Sequence, residues 1–423
     1  METITIQVKG RIENPASSPQ MNLAMNIESF SPRQLLEKIQ KPLPFEPKDS
    51  KVFNTVALAL KLSGNPKDIA VSDGKLTLDD SQIAFHARAK DFEKPDLKFD
   101  LNLDRIDLDR YLPAPVKDER PPVEKGKSSG GPSKKTDYTS LRKLVLDGKI
   151  EVGELKVKDV RMQNIILKTT ASNGVIRLEP CVLDLYKGRM DVNGTLDVRE
   201  NTPQTAMKLE LNGTQVGPLV KDLLQKEIIE GALNADVDIR LQGDQPEVIR
   251  RTLNGKGNLT FKDGAIVGID LANLVRNIEA KLGLADKPSE KPRTDFSELF
   301  IPFSITDGLF KTDGSMLNSP LLRLVATGTA DLAKETLNMK VVPKFVGTLV
   351  GQGDTKQRSG VMVPVNITGS FTQPKFQPDF KSLIGQSVPD KKDIEKMIPP
   401  KEKVKEDLGK QAEDLFKGLP FGK

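Results

Sequence analysis

The stretch "GALNADVDIRLQG", residues 231–243, carries an apolar side chain at every second position from Leu233 to Leu241. Successive side chains of a β-strand point to opposite faces, so a period of two predicts a strand with one apolar face and one polar face. The same alternation recurs along the chain. Its apolar positions are Leu233, Ala235, Val237, Ile239 and Leu241; Leu97, Phe99, Leu101 and Leu103; Met207, Leu209 and Leu211; Leu337, Met339 and Val341; and Val361, Val363, Val365 and Ile367.

Turn-forming dipeptides punctuate these strands. Asp-Gly begins at Asp73, Asp147, Asp263, Asp307 and Asp313, and Asn-Gly begins at Asn173, Asn193, Asn212 and Asn254. Both pairs adopt the positive φ that tight hairpin turns need. Their density predicts a long antiparallel meander.

Few stretches have apolar residues at the spacing of a helix. In "SPRQLLEKIQ", Ser31 is suited to cap a helix that Pro32 begins. A second helix is predicted over residues 216–231 and a third over Leu271–Leu282. The sequence therefore predicts a mainly β fold (a β-rich α+β class) with a few short helices: a long antiparallel, curved sheet or a β-groove with covering helices.

Composition shifts divide the chain into four segments. Residues 1–112 are β-rich, with a short helix near 31–40, and residues 113–138 form a flexible linker rich in Pro, Gly, Ser and Lys. Residues 139–385 form a second β domain, and residues 386–423 form a charged, partly helical tail. These limits are predictions from composition and periodicity.

The chemistry available to the chain is limited. Only one histidine, His86, and one cysteine, Cys181, occur in 423 residues, too few for a His/Cys metal cluster. Lys and Arg are interleaved with acids and aromatics are 5%, which disfavours nucleic-acid binding. The acidic series from Asp100 to Asp109 lacks the glycine turn of a calcium loop. We expect no catalytic residues, no metal, no cofactor and no nucleic-acid partner.

Glycines in "FKDGAIVGIDLANLVRNIEAKLG", residues 261–283, raise the question of a phosphate site. The stretch has neither the P-loop pattern nor the spacing of a dinucleotide loop. Asp263 and Gly264 are interpreted as a turn, Gly268 as the passage from strand to helix, and Asp270 as the helix cap. This structural motif is interpreted as a hairpin that leads into a helix.

The same stretch carries a family resemblance. "FKDGAIVGIDLANLV" (261–275) resembles the hairpin-and-helix hallmark of the AsmA family of envelope proteins. "TDFSELFIPFSITDGLF" (294–310), "SPLLRLVATGTADLAKETLNMKVVPK" (319–344) and "VPVNITGSFTQPKFQPD" (363–379) follow in the family's order. Upstream, "IDLDRYLPAP" (106–115) and "GALNADVDIRLQG" also resemble the family. The similarity is strongest over residues 230–380.

The resemblance implies a periplasmic protein held at the inner membrane by an N-terminal helix and related to β-groove lipid-transfer proteins. No run of about 18 apolar residues is present, so we expect this chain to be the C-terminal part of such a protein, without the anchor. The family offers no catalytic residues.

A long sheet must hide its apolar face, either by closing on itself, by pairing with a partner, or by holding apolar ligands in a groove. The first hypothesis is a groove that binds or conducts phospholipid or another acyl lipid. Its candidate lining residues are Val237, Ile239, Leu241, Leu259, Phe261, Val363, Val365 and Ile367. The alternative is a closed structural or assembly factor that binds envelope proteins and aids outer-membrane protein targeting or insertion.

Overall fold

The computed structural model describes residues 4–43, 45–113, 136–268, 292–320, 322–345 and 364–379. Strands make up 66% of these residues and helices 10%, which confirms the mainly β fold with a few short helices.

The strands within the described residues number nineteen. They are β1 (Ile6–Glu13), β2 (Gln20–Phe30), β3 (Val56–Asn65), β4 (Asp68–Leu78), β5 (Ser81–Lys90), β6 (Asp96–Asp107), β7 (Val145–Val157), β8 (Val160–Ser172), β9 (Val175–Leu185), β10 (Gly188–Asp197), β11 (Gln204–Gln215), β12 (Ile229–Gln242), β13 (Asn254–Val267), β14 (Arg293–Thr306), β15 (Leu309–Asn318), β16 (Leu322–Asp331), β17 (Thr336–Phe345), β18 (Val365–Ser370) and β19 (Pro374–Pro378). The helices are α1 (Pro32–Lys38), α2 (Thr139–Lys143), α3 (Val216–Leu224) and α4 (Pro246–Thr252), and Leu108–Arg110 forms a single 3₁₀ turn.

The chain divides into two compact units. The first unit contains Met1–Asp184 and Asp191–Thr205, and the second contains Leu185–Met190 and Ala206–Lys423. The strands of the two units are described separately.

In the first unit, β1 to β6 pair in chain order and antiparallel. The next pair, β6 and β7, is parallel, with Asp96 opposite Val145 and Asp107 opposite Lys156. Parallel neighbours need a crossover of a dozen or more residues, and residues 108–144 between these strands provide the necessary length. The antiparallel pattern resumes between β7 and β8.

The end of the first unit is held by polar caps. Ser31 caps α1, as predicted, by accepting a hydrogen bond from the Gln34 N–H at 3.3 Å. Asp79 accepts hydrogen bonds from the backbone N–H groups of Phe53, Asn54 and Thr55 at 2.8–3.0 Å. These bonds satisfy backbone donors where the ladder stops.

In the second unit, β12 to β19 form an antiparallel meander with every neighbour in chain order. Its buried core consists of Val216 from α3 and Phe261, Phe296 and Leu317 from β13, β14 and β15. The helix therefore packs on the apolar side of the sheet.

Most of the predicted hairpin turns are wrong. Only Asn173-Gly174 and Asp307-Gly308 connect two strands, and the other seven Asp-Gly and Asn-Gly pairs lie within strands. Asp263 adopts a positive φ of 48° inside β13, where the register against β12 shifts between Glu230 and Ala232. The pair thus forms a β-bulge, which bends a strand without ending it.

The second predicted helix is also shorter than expected. Gln225 adopts a left-handed φ of 56° and ends α3 after Leu224, and β12 begins at Ile229. The predicted helix over Leu271–Leu282 lies outside the described residues, as do the tail 386–423 and most of the linker.

Candidate functional site

Most of the apolar side chains of β12 to β18 in the second unit lie on one side of the sheet, although a shorter row of Phe300, Met316, Val325 and Val342 lies on the other side. One cross-strand row runs from Leu233 through Phe261, Leu299, Leu317 and Leu324. Because directly opposite residues share a face, the register extends the alternation of a single strand across the whole meander. We call this side the apolar face. Its members include Leu233, Ala235, Val237, Ile239, Leu241, Leu259, Phe261, Leu299, Ile301, Phe303, Ile305, Phe310, Leu317, Leu324, Ala326, Leu337, Met339, Val341, Val365 and Ile367.

One end of the apolar face is closed by α3. Val216 is 5% exposed and contacts the cluster of Phe261, Phe296 and Leu317, whose side chains are 3–7% exposed. Val220, one helical turn later, packs against the same cluster. Phe261, one of the predicted lining residues, is therefore core beneath a helix, and Leu259 packs at the margin of this cluster.

Away from α3, the larger side chains of the apolar face are half-buried. Val237, Ile239 and Leu241 on β12, and Val365 and Ile367 on β18, all keep part of their side-chain surface accessible to solvent. On the same face, Phe303 and Phe310 stack with ring centroids 5.3 Å apart. An aliphatic surface of this kind offers dispersion contacts and no hydrogen bonds, so it suits alkyl chains.

The structure places the described lining residues on one face, in two groups: those on β12 and β13, and those on β18, with four strands between the groups. Met339 lies opposite Ile367 and Val341 opposite Val365, which joins the β18 positions to the β17 positions. Val363 and Asp270 lie outside the described residues. Phe303 and Ile305 were missed, although the period of two in "FIPFSIT" could have identified them.

The opposite face of the second unit carries charged pairs. Lys208 donates a hydrogen bond to Glu210 at 2.6 Å, which raises the pKa of the lysine, and Lys311 pairs with Asp313 at 2.7 Å. A shallow depression of about 560 Å³ on this face is bordered by both signs of charge, including Asp236. A depression bordered by charges of both signs is better suited to hold water than to bind an alkyl chain or ions of one sign.

The predicted structural motif is resolved in part. Asp263 and Gly264 form the bulge in β13, and Gly268, with a φ of 93°, follows the end of that strand. The Gly268 N–H donates to the carbonyl oxygen of Pro292 at 2.8 Å. The motif therefore shapes the end of the sheet over which α3 packs, and it places no chemical group on the apolar face.

The described residues hold no group of three or more His, Cys, Asp or Glu side chains arranged for a metal ion. His86 is exposed on β5 opposite Asp100. Burial raises the pKa of the Cys181 thiol, which favours its protonated form. Asp109 is engaged by the backbone N–H of Asp159, so the acidic series has a structural role at that point.

In the described parts of the chain, no helix has the length and apolar character required to span a membrane.

Comparison with known proteins identifies one family. The family model described as AsmA family matches residues 16–314, a span that includes the stretch at 261–275 and ends before those at 319–344 and 363–379. Protein AsmA of Escherichia coli (strain K12) is 18% identical over 340 residues, which cover 77% of this chain and 55% of the relative. This chain thus spans about half the length of that relative, and no solved structure matches it. Because the family model covers more than half of its residues, the chain belongs to the AsmA family.

Proposed function

We propose that the protein is a non-enzymatic component of the cell envelope that binds or conducts phospholipid along the apolar face of the second unit. Family membership implies an envelope-associated role, and the AsmA family is not a known enzyme family. The observation that carries the lipid proposal is the half-buried part of the apolar face, around Val237, Ile239 and Ile367.

The physical basis is the transfer of acyl chains out of water. Each buried methylene contributes about 0.8 kcal/mol, so ten methylenes in contact with the face contribute roughly 8 kcal/mol before the cost of ordering the chain. Such contacts are not directional. A lipid held in this way can slide along the sheet, because one aliphatic side chain substitutes for the next.

The arrangement of α3 supports an open face over a closed core. Where α3 covers the sheet, Phe261 and Leu317 fall to 7% and 4% exposure. Val237 and Ile239 lie further along the same sheet face and remain half-buried. If the face were core throughout, these side chains would reach the same burial as Phe261.

This proposal places the protein in the periplasm, at the inner membrane, with phospholipid as its ligand and no cofactor. Protein partners in the envelope fit the alternative, in which the sheet supports assembly or targeting of outer-membrane proteins without carrying lipid.

A direct extraction distinguishes the two functions. The full chain would be purified without detergent, its fold checked by circular dichroism, and its organic extract analysed by mass spectrometry. We expect phospholipid in at least equimolar amount. A folded protein that carries no lipid, and that takes up none from vesicles, would contradict the proposal and favour the assembly role.

A further inference from the structure

Three large apolar side chains project into solvent at one end of the first unit. Ile39 is 54% exposed, Phe45 is 43% exposed and Leu112 is 44% exposed. Ile39 and Phe45 lie beyond α1, and Leu112 lies after β6. An exposed group of apolar residues on a folded protein is a common sign of an interaction surface.

Two of these residues, Phe45 and Leu112, lie on neighbouring segments of the backbone. The Lys48 N–H donates to the carbonyl oxygen of Leu112 at 2.8 Å, and Pro47 forms an isolated β-bridge with Pro113. These contacts bring the chain around Phe45 beside Leu112. The ring of Phe45 also packs edge-on against Phe53, with ring centroids 6.4 Å apart.

The third residue, Ile39, is connected through α1 to the segment around Phe53. The Arg33 N–H, in the first turn of α1, donates to the carbonyl oxygen of Phe53 at 3.1 Å, and Ile39 follows the last residue of that helix. Phe53 in turn packs edge-on against Tyr111 at 5.3 Å. All three exposed residues are therefore fixed to the segment around Phe53.

The segment around Phe53 is stabilised by a buried side chain, a hydrogen bond and ion pairs. Val52 is fully buried, and the Tyr111 hydroxyl donates to Asp79 at 2.9 Å. Arg110 pairs with Asp49 at 2.8 Å and with Asp80 at 2.7 Å. Neither partner of the Asp49 pair is more than a third exposed, so its charges are largely neutralised locally. The exposed apolar side chains thus project from an ordered base.

The charge on the segment from α1 to Phe53 is mainly positive. The segment from α1 to Phe53 carries exposed lysines at positions 38, 41, 48 and 51 and exposed glutamates at 37 and 46. Its one aspartate, Asp49, is engaged by Arg110. We call the exposed apolar residues Ile39, Phe45 and Leu112, with Lys41, Lys48 and Lys51, the basic rim.

We propose that the basic rim docks the first unit onto the surface of an anionic phospholipid membrane. Exposed apolar side chains with exposed lysines close to them in the chain match the two layers of a bilayer interface: the apolar tips reach the upper acyl region, and the ammonium groups lie among anionic headgroups. This surface goes beyond the proposed lipid-binding face, since it contacts a membrane from outside and takes no lipid out of it.

The test is co-sedimentation of the full chain with vesicles of phosphatidylcholine alone or with phosphatidylglycerol added. We expect binding to the anionic vesicles, weakened by salt. The variants Phe45→Ser with Ile39→Ser, and Lys41→Gln with Lys48→Gln and Lys51→Gln, should each lower the apparent affinity by about tenfold or more. Leu112→Ser serves as a further variant should the first pair not fold.

Phe92→Ser is the matched control. Phe92 is 56% exposed but lies in the connection after β5, at the end of that strand remote from Asp80. The control should bind like the unaltered chain. Equal binding by all variants, an equal loss with Phe92→Ser, or no preference for anionic vesicles would overturn the proposal.

The co-purified lipid separates this proposal from the proposed function. Rim variants should keep any phospholipid extracted from the unaltered chain, because the apolar face of the second unit is intact. Vesicle binding by a chain that carries no extractable lipid would leave the basic rim standing and remove only the lipid-binding function.

Discussion

The ring of Phe296 lies over Gly264 on the neighbouring strand, in the space that a side chain at position 264 would need. A Cβ atom built on Gly264 would be 2.7 Å from Cζ of Phe296, far inside van der Waals contact. The same relationship joins Gly74 to Phe85 on β4 and β5. Glycine is suited to these two strand positions because an aromatic ring occupies the space that a larger side chain would need.

Gly264→Ala should therefore destabilise the second unit. The added methyl group must displace a ring that is only 3% exposed, and it also meets the backbone carbonyl of Glu230. We expect a loss of about 1–3 kcal/mol in the free energy of unfolding, measured by urea titration. Lys262→Ala, at an exposed position on the same strand, should change it by less than about 0.5 kcal/mol. An unaltered midpoint for Gly264→Ala would refute the packing role of the glycine.

A buried polar pair lies at the bulge of β15. The Thr312 hydroxyl is 2.7 Å from the Ser315 hydroxyl and donates to the carbonyl oxygen of Pro302 at 2.7 Å, although Thr312 is only 2% exposed. Thr312→Val should cost about 1–3 kcal/mol, because it leaves buried partners without a hydrogen bond.

The interaction between the hydroxyl groups of Thr312 and Ser315 can be tested by a double-mutant cycle. Thr312→Ser keeps the hydrogen bond and should be milder than Thr312→Val. The combination of Thr312→Val with Ser315→Ala should cost less than the sum of the two single changes, since they share one interaction. Strictly additive losses would show that the two hydroxyl groups do not interact.

Asp109 links the 3₁₀ turn to the hairpin between β7 and β8. Desolvation raises the pKa of its carboxyl, but this is outweighed by backbone hydrogen bonds from Asp159 and Lys158 and by Lys156, so the pKa lies below its ordinary value. Lys158 and Asp159 both have positive φ, of 50° and 63°, and their N–H groups depend on this carboxylate.

A carboxyl with a lowered pKa stabilises the fold when ionised. Its contribution is present above the unfolded pKa of about 3.9 and disappears as pH falls through the lower folded value. Asp109→Asn should thus cost about 2 kcal/mol at neutral pH, with the difference from the unaltered chain narrowing below about pH 4. Thermal unfolding of both proteins across this pH range measures the difference in stability. A difference that does not change with pH would contradict the ionic role.

The open and covered parts of the apolar face should respond differently to a buried charge. Ile239→Asp, at a half-buried position, should reduce co-purified phospholipid while the far-ultraviolet circular dichroism is retained. Phe261→Asp, beneath α3, should unfold the unit, because an unpaired charge in the core costs several kcal/mol. Val237→Asp is expected to behave like Ile239→Asp. Unfolding by all three changes would identify the whole face as closed core.

Much of the fold follows from local rules. Alternation in "GALNADVDIRLQG" placed Val237 and Ile239 on one face of β12, and Ser31 was correctly identified as a helix cap. The same rule applied to "FIPFSIT" would have added Phe303 to the predicted lining residues. These features depend on neighbours in sequence, which a single chain reveals.

The errors come from contacts between distant parts of the chain. Asp263-Gly264 has the composition of a turn, but β13 pairs with β12 and with β14 on both sides of it, so the pair forms a bulge within a continuous strand. The parallel pairing of β6 with β7 depends on how residues 108–144 cross over, and no local pattern encodes that path. Likewise, Ile239 on β12 and Phe261 on β13 lie on the same face of the sheet, and the position of α3 leaves the first half-buried and the second buried.

Site-specific cross-linking tests the central claim most directly. Ile239 and Arg240 are adjacent on β12 and point to opposite faces, one half-buried and apolar, the other exposed. Each would be replaced in turn by the photoreactive residue p-benzoylphenylalanine in the full chain, irradiated in cells and analysed by mass spectrometry. The account predicts phospholipid adducts at position 239 and none at position 240. Equal adducts at both positions, or none at position 239 in a folded protein, would contradict it.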